Sequence, residues 1–284
     1  MLTGDDPASR PGDTTPPDAV PTRRWALLIE YDGAGFVGWQ RQRSGVSVQA
    51  VLEAAAARLF GGRAINSIVA GRTDAGVHAA GQTVQLDLPL RPGLDGFRLR
   101  EALNFHMKPH AVSVLEAAPA PDDWNARFSA IRRRYRFRIL NRAARPALSA
   151  GRVWHVKTPL DASRMAAAAG TLLGRHDFSS FRASSCQARS PLRTLDRLDV
   201  RRDGQGDEIV VEAEARAFLH HQVRNMVGTL KLVGDGSWPV ERVAAALAAR
   251  DRAAAGPTAP PDGLCLVGVD YPVSPFGRPA AAPD

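Results

Sequence analysis

The clearest alternation in the chain lies at residues 131–140. Ile131, Arg133, Tyr135, Phe137 and Ile139 fall on one side, and Arg132, Arg134, Arg136 and Arg138 on the other, the period of two that a β-strand imposes. Val84, Leu86 and Leu88 alternate in the same way with Thr83, Gln85 and Asp87, which predicts a half-buried strand. Short apolar runs at 25–31, 65–70, 111–117 and 264–271 predict further strands. Between them, Ser47 precedes Val48, Val51, Leu52, Ala55 and Leu59 at helical spacing, and Gly61 and Gly62 stop the pattern. Helices are also expected at 95–106, from the cap Asp161 to Gly174, around Val223, Met226, Val227 and Leu230, and after Pro239. Residues 195–202 and 207–216 flank DGQG as a hairpin.

Each half of the chain therefore reads strand, helix, two strands, helix, strand. That is the ferredoxin-like, split βαβ order, an α+β arrangement with mainly antiparallel sheets that four-stranded RNA-recognition modules also use. Two such domains are expected, at 23–126 and 127–273, with the option that they share one broad sheet. Residues 1–22 and 274–284, rich in Pro, Asp, Gly, Ala and Thr, are expected to be disordered tails.

Charge sharpens this picture. The 284 residues carry 37 Lys plus Arg against 29 Asp plus Glu, a net +8, and this favours a polyanionic partner or an anionic membrane surface. Only Lys108, Lys157 and Lys231 are lysines, and the abundance of Ala, Gly, Pro and Arg fits a compositionally biased genome. Placement says more than abundance, because nine arginines and no acidic residue lie between Arg127 and Arg152. Cys186 and Cys265 cannot build a disulfide framework, and no Cys/His spacing matches a structural zinc site. With no apolar run of membrane-spanning length and no signal-like N-terminus, a cytoplasmic protein is expected.

The segment GRTDAGVHA, residues 71–79, sets Arg72 and Asp74 between two glycines directly after an expected strand. Such a loop can present a carboxylate to a ligand that approaches the backbone closely. It is also what an ordinary turn with a capping Asp looks like. The four arginines on one side of the 131–140 strand call for phosphate, because four unpaired like charges at strand spacing are disfavoured without an anionic partner, which weighs against a merely solvated face. Tyr135 lies on the opposite side, so both can serve one RNA only if the strand twists or lines the rim of a cleft. His220 and His221 are adjacent, a poor helical spacing for a metal, and are expected to cap or pack. Arg224 lies off the apolar face of its helix, where it can meet a carboxylate or phosphate across a cleft.

Gly33, Gly35 and Gly38 spell G-x-G-x-x-G, but no helix opens within that motif and no acidic residue ends a following strand, so a dinucleotide site is not expected. Phe36 and Trp39 there suit a flexible RNA-facing loop, or else the core.

Taken in order, YDGAGFVGWQRQ, SVQAVLEAA, AGRTDAGVHAAGQ, the Asn104–Phe105 region with ARFSAIRRRYRFRI, HDFSSFRASSCQARSPLRT, FLHHQVRNMVG and GLCLVGVDYP resemble the tRNA pseudouridine synthase A family from about Tyr31 to Pro272. The resemblance implies two ferredoxin-like halves flanking a basic cleft, acting as a homodimer on the anticodon arm of tRNA at uridines 38, 39 and 40. It assigns catalysis to Asp74, the tyrosine beside the target base to Tyr135, the arginine pairing with the aspartate to Arg224, and help with the flipped nucleotide to Arg72. Arg132, Arg134 and Arg136 are expected to contact substrate, and no metal, nucleotide or other cofactor is expected. Phe137 stands where relatives carry the second tyrosine of a Tyr-x-Tyr pattern, and Cys265 where they often carry Tyr. Two rivals stand beside this reading. A non-catalytic RNA binder would give no reason for an Asp between glycines, and a nucleotide-dependent enzyme would need a phosphate loop that is not in the sequence.

Overall fold

The computed structural model describes residues 20–204 and 206–277. The first half runs β1 (Thr22–Tyr31), α1 (Val48–Leu59), β2 (Ser67–Val69), β3 (His78–Pro89), α2 (Gly96–Met107) and β4 (Val112–Pro119). The second runs β5 (Arg132–Asn141), β6 (Trp154–Val156), α3 (Ala162–Gly170), β7 (Gly174–Asp177), β8 (Leu192–Arg202), β9 (Glu208–Ala215), α4 (Gln222–Gly234), α5 (Glu241–Ala249) and β10 (Leu264–Asp270). The side chains of Ser47, Asp95 and Asp161 accept the amide protons of Ala50, Arg98 and Arg164, which fixes where α1, α2 and α3 begin.

All ten strands form one sheet, with the path β4-β1-β3-β10-β5-β9-β8-β7, β2 on β3 and β6 on β5. Pairing is antiparallel except at β3–β10 and β5–β6. Each half keeps the split βαβ order, β4-β1-β3-β2 and β10-β5-β9-β8. The halves fuse where Cys265 and Leu266 of β10 lie opposite His78 and Ala79 of β3. This short parallel seam sets the first residues of β3, and the loop just before them, against the second half of the chain.

A continuous apolar core fills the helix-bearing side of both halves, from Leu27, Leu52 and Leu86 to Phe137, Val211 and Met226. A smaller cluster of Ala26, Trp124, Ala126, Ala130 and Tyr271 lies apart from it. It forms where the connector between β4 and β5 folds back: Ala126 donates its amide to Gln85 Oε1 at 3.2 Å, and Tyr271 donates its hydroxyl to Ala126 O at 2.6 Å. This corrects the half-buried reading of β3, because Thr83 and Gln85 are each only 1% exposed. The connector covers the polar side of a central strand, and Gln85 finds its partner there.

Smaller boundaries also differ. The second strand shrinks to Ser67–Val69. The helix capped by Asp161 stops at Gly170 rather than Gly174, and Gly174, with φ of +91°, opens β7 instead. Of the expected tails, residues 1–19 and 278–284 lie outside the described residues. Within the remainder, Thr22 already pairs with Pro89, and Phe276 packs against the smaller cluster.

Candidate active site

Asp74 stands in the loop between β2 and β3, and that loop is tied down along its length. Gln82 Nε2 donates to Gly71 O at 2.7 Å, the Tyr31 and Thr73 hydroxyls are 2.7 Å apart and buried, and the Trp39 amide donates to Thr73 O at 3.1 Å. Just upstream, Arg133 donates to Ala70 O from Nη2 at 2.6 Å and from Nε at 3.2 Å. The same guanidinium also reaches the carbonyls of Arg127, Ala130 and Arg216. Arg133 is 7% exposed, so a buried cation is satisfied by backbone carbonyls alone and pins the start of the loop to the second half. Its signal in the sequence was a charge on the apolar side of an alternating strand.

The glycine-rich segment at 33–38 packs directly on this loop, so the expectation of a flexible RNA-facing loop is corrected. Phe36 and Trp39 are buried. A Cβ at Gly33 would sit 2.1 Å from Val77 O, and one at Gly38, where φ is +105°, would sit 2.8 Å from Thr73 O. The glycines permit two backbones to touch, which is the physical reason for the motif.

Three cationic or titratable side chains from the second half converge on Asp74. Arg224 Nη1 donates to Oδ2 at 3.3 Å, while His220 Nε2 lies 3.4 Å from Oδ1 and His221 Nε2 lies 3.5 Å from Oδ2. Arg224 is itself fixed by a 2.8 Å bond from Nε to Ala259 O. The Asp74 side chain is 19% exposed. Burial alone would raise its pKa, but His220, His221 and Arg224 together hold the carboxyl below its ordinary value. The contact with Asp74 raises His220, whereas burial lowers His221, with the cations His220, Arg224 and Arg252 acting in the same direction. The histidines were expected to cap or pack; instead both face the carboxylate. His221 occupies the N-cap position of α4 without a side-chain capping bond, in a left-handed conformation with φ of 63°. The donor atoms of Asp74, His220 and His221 lie within 4.8 Å of one another, close enough to hold a cation. The Arg224 guanidinium on the same carboxylate already supplies positive charge there and would repel one.

Tyr135 lies on the same side of β5 as Arg133, with its ring edge-on to Phe218 at 5.3 Å between centroids. Burial pushes its phenol well above the ordinary value, and the charge of Asp74 adds to the effect. Its hydroxyl makes no hydrogen bond to any described residue. Arg72 is exposed and has no ion pair or hydrogen bond among the described residues.

The arginine row is different. Arg132 pairs with Glu214 at 3.1 Å, Arg134 with Asp270 at 3.3 Å, Arg136 with Glu212 at 3.0 Å and Arg138 with Glu208 at 2.7 Å. Arg197 from β8 bridges Glu212 and Glu214. The four charges are therefore neutralised by β9 and β10, on the side of the sheet opposite Tyr135. This removes the physical reason for assigning Arg132, Arg134 and Arg136 to substrate, since the premise of unpaired like charges does not hold.

The electrostatics of the cluster can be checked directly. Imidazole titration by NMR should place His220 above the ordinary histidine pKa and His221 below it. Both should fall in Asp74→Asn, because the carboxylate favours the charged form of each ring. Histidines that titrate together and do not respond to Asp74→Asn would contradict this geometry.

Known proteins resemble this chain over most of its length. A family model described as tRNA pseudouridine synthase matches residues 168–272. The tRNA pseudouridine synthase A of Acidiphilium cryptum is 73% identical over 257 residues, covering 90% of this chain and 99% of that protein. Those of Gluconobacter oxydans and Methylobacterium nodulans are each 56% identical, covering 92% and 90% of this chain and 95% and 99% of their own lengths. At such identity over nearly the full length, the chain belongs to the tRNA pseudouridine synthase A family.

Proposed function

We propose that this protein isomerises uridine to pseudouridine in the anticodon stem-loop of tRNA, at positions 38, 39 and 40, with Asp74 as the catalytic carboxylate. The observation that carries the reading is a mostly buried Asp74 carboxylate met by His220, His221 and Arg224 from the other half of the chain, groups that hold its pKa below the ordinary value. The isomerisation breaks the N1–C1′ bond, turns the uracil and joins C5 to C1′. It needs no electron or group from outside, so the reading assigns no cofactor. Attack on the sugar, attack on the base and removal of a sugar proton all require the carboxylate in its charged form. His220, His221 and Arg224 together hold it in that form, and the Arg224 guanidinium aims it. The target must leave its stack, which costs a few kcal/mol, and in this reading the ring of Tyr135 supports the extruded base. Arg72, exposed and unpaired two residues from Asp74, is suited to a phosphate or to the space that the flipped nucleotide vacates.

The units at 23–126 and 127–273 divide the labour in this reading, the first contributing the acid and the second its cations and the aromatic. The homodimer that the family resemblance implies and the cytoplasmic setting expected from the sequence belong to the same proposal; no helix among the described residues is long and apolar enough to cross a membrane. A non-catalytic RNA binder would have no use for a carboxylate held ionised against burial.

Asp74→Asn should lower pseudouridine formation on unmodified tRNA by roughly 10³-fold or more while tRNA affinity changes by less than about 2-fold; a variant with wild-type turnover would remove Asp74 from the chemistry. For the footprint, the logarithm of the tRNA dissociation constant is measured against the logarithm of salt concentration. Arg72→Ala should reduce the slope by roughly one, and Arg136→Ala should leave it unchanged. Equal flattening by both would return the arginine row to the RNA surface.

A further inference from the structure

The proposed reaction, on which this inference rests, has a second half that Asp74 alone does not explain. Once C5 has bonded to C1′, C5 carries both a hydrogen and the sugar. The uracil is restored only when the C5–H electron pair becomes the C5=C6 double bond. The N1=C6 pair then moves to N1, which takes up a proton, so that one proton is lost, one is gained and the product is an isomer. A base must receive the C5 proton.

The groups gathered at Asp74 are few, and most are unsuited to that task. The Arg224 guanidinium stays protonated and donates to Asp74. The Tyr135 phenol is held in its neutral form by burial. Asp74 is a weak base, committed to Arg224 and, in this reading, to the first half of the reaction. His220 has both ring nitrogens engaged, with Nε2 toward Asp74 at 3.4 Å and Nδ1 at 3.3 Å from Ser185 Oγ. His221 is the exception. Its Nε2 faces Asp74 at 3.5 Å, its Nδ1 has no hydrogen bond among the described residues, and its side chain is 28% exposed.

The backbone supports the same choice. His221 sits at φ of 63° and ψ of 4°, a conformation rarely taken by a residue with a Cβ. Neighbouring bonds enforce it: its carbonyl accepts the Asn225 amide at 2.9 Å, Asn225 Nδ2 donates to Phe181 O at 2.9 Å, and Gln222 Oε1 accepts the Leu219 amide at 2.8 Å. A strained residue held by its surroundings at a functional site is the expected form of a positioned side chain.

We propose that His221 is a second catalytic residue, the base that takes the proton from uracil C5 after C5 has joined the sugar. Asp74 on Nε2 favours the tautomer protonated there and leaves the lone pair on Nδ1. Burial, with Arg224, Arg252 and His220 acting alongside it, keeps the ring neutral and ready to accept a proton, while Asp74 opposes them.

The test uses His221→Gly in the full chain, because glycine accepts the left-handed conformation without strain and leaves room for added imidazole. Single turnovers are followed on tRNA carrying uridine with either hydrogen or deuterium at C5. The variant should be slower by roughly 10²-fold, should show a larger C5 deuterium isotope effect than the wild type, and should recover on addition of imidazole. His221→Asn, which also tolerates the left-handed conformation, should show the same isotope effect. A slow variant whose isotope effect equals that of the wild type would mean that His221 only positions Asp74, and a variant of wild-type rate would mean that it does neither; both overturn the proposal. Asp74→Asn run in parallel separates the two claims. If it is inactive while His221→Gly is isotopically silent, the inference fails alone, and if it is active, the reading of the site fails with it.

Discussion

The constraint on which this site depends is that Asp74 must stay ionised while most of its side chain is out of water. Burying a carboxylate disfavours its charge, and the cost must be met by cations or donors held at short range. No described residue of the first half supplies them. Arg224, His220 and His221 all come from the turn and helix at 220–224, roughly 150 residues away in sequence. The surroundings of the acid are therefore complete only in the whole fold, with the β3–β10 seam aligning the two halves.

The surroundings of the loop serve that alignment. Arg133 ties Ala70, just upstream of the Asp74 loop, to the carbonyls of Arg127, before β5, and Arg216, after β9. Tyr31 and Gln82 hold Thr73 and Gly71 from within the first half. The glycines at 33 and 38 let a second loop lie against the first without intervening side chains. Rigid support of this kind positions a carboxylate more closely than a mobile loop could.

Much of this was legible in the sequence, where the signal was local. Alternation at 131–140 and the side chains of Ser47, Asp95 and Asp161 describe strand and helix starts because each depends on residues within a turn or two. Asp74 was visible as an acid between glycines, and the family resemblance added Tyr135 and Arg224. The features that escaped depend on partners distant in sequence. The arginine row looked unpaired because its carboxylates lie on β9 and β10, and β3 looked half exposed because the covering connector comes 40 residues later. His220 and His221 looked ordinary because adjacency on a chain says little about two side chains that one backbone twist at His221 turns toward a common carboxylate.

The charge on Asp74 can be followed directly by titrating its carboxyl with carbon-13 NMR, with Asp74→Asn identifying the signal. The midpoint should lie below the roughly 3.9 of a free aspartate and should move upward when Arg224 is replaced by Met. A wild-type midpoint above the free value, or one indifferent to Arg224→Met, would contradict an Asp74 carboxylate held ionised by its cations.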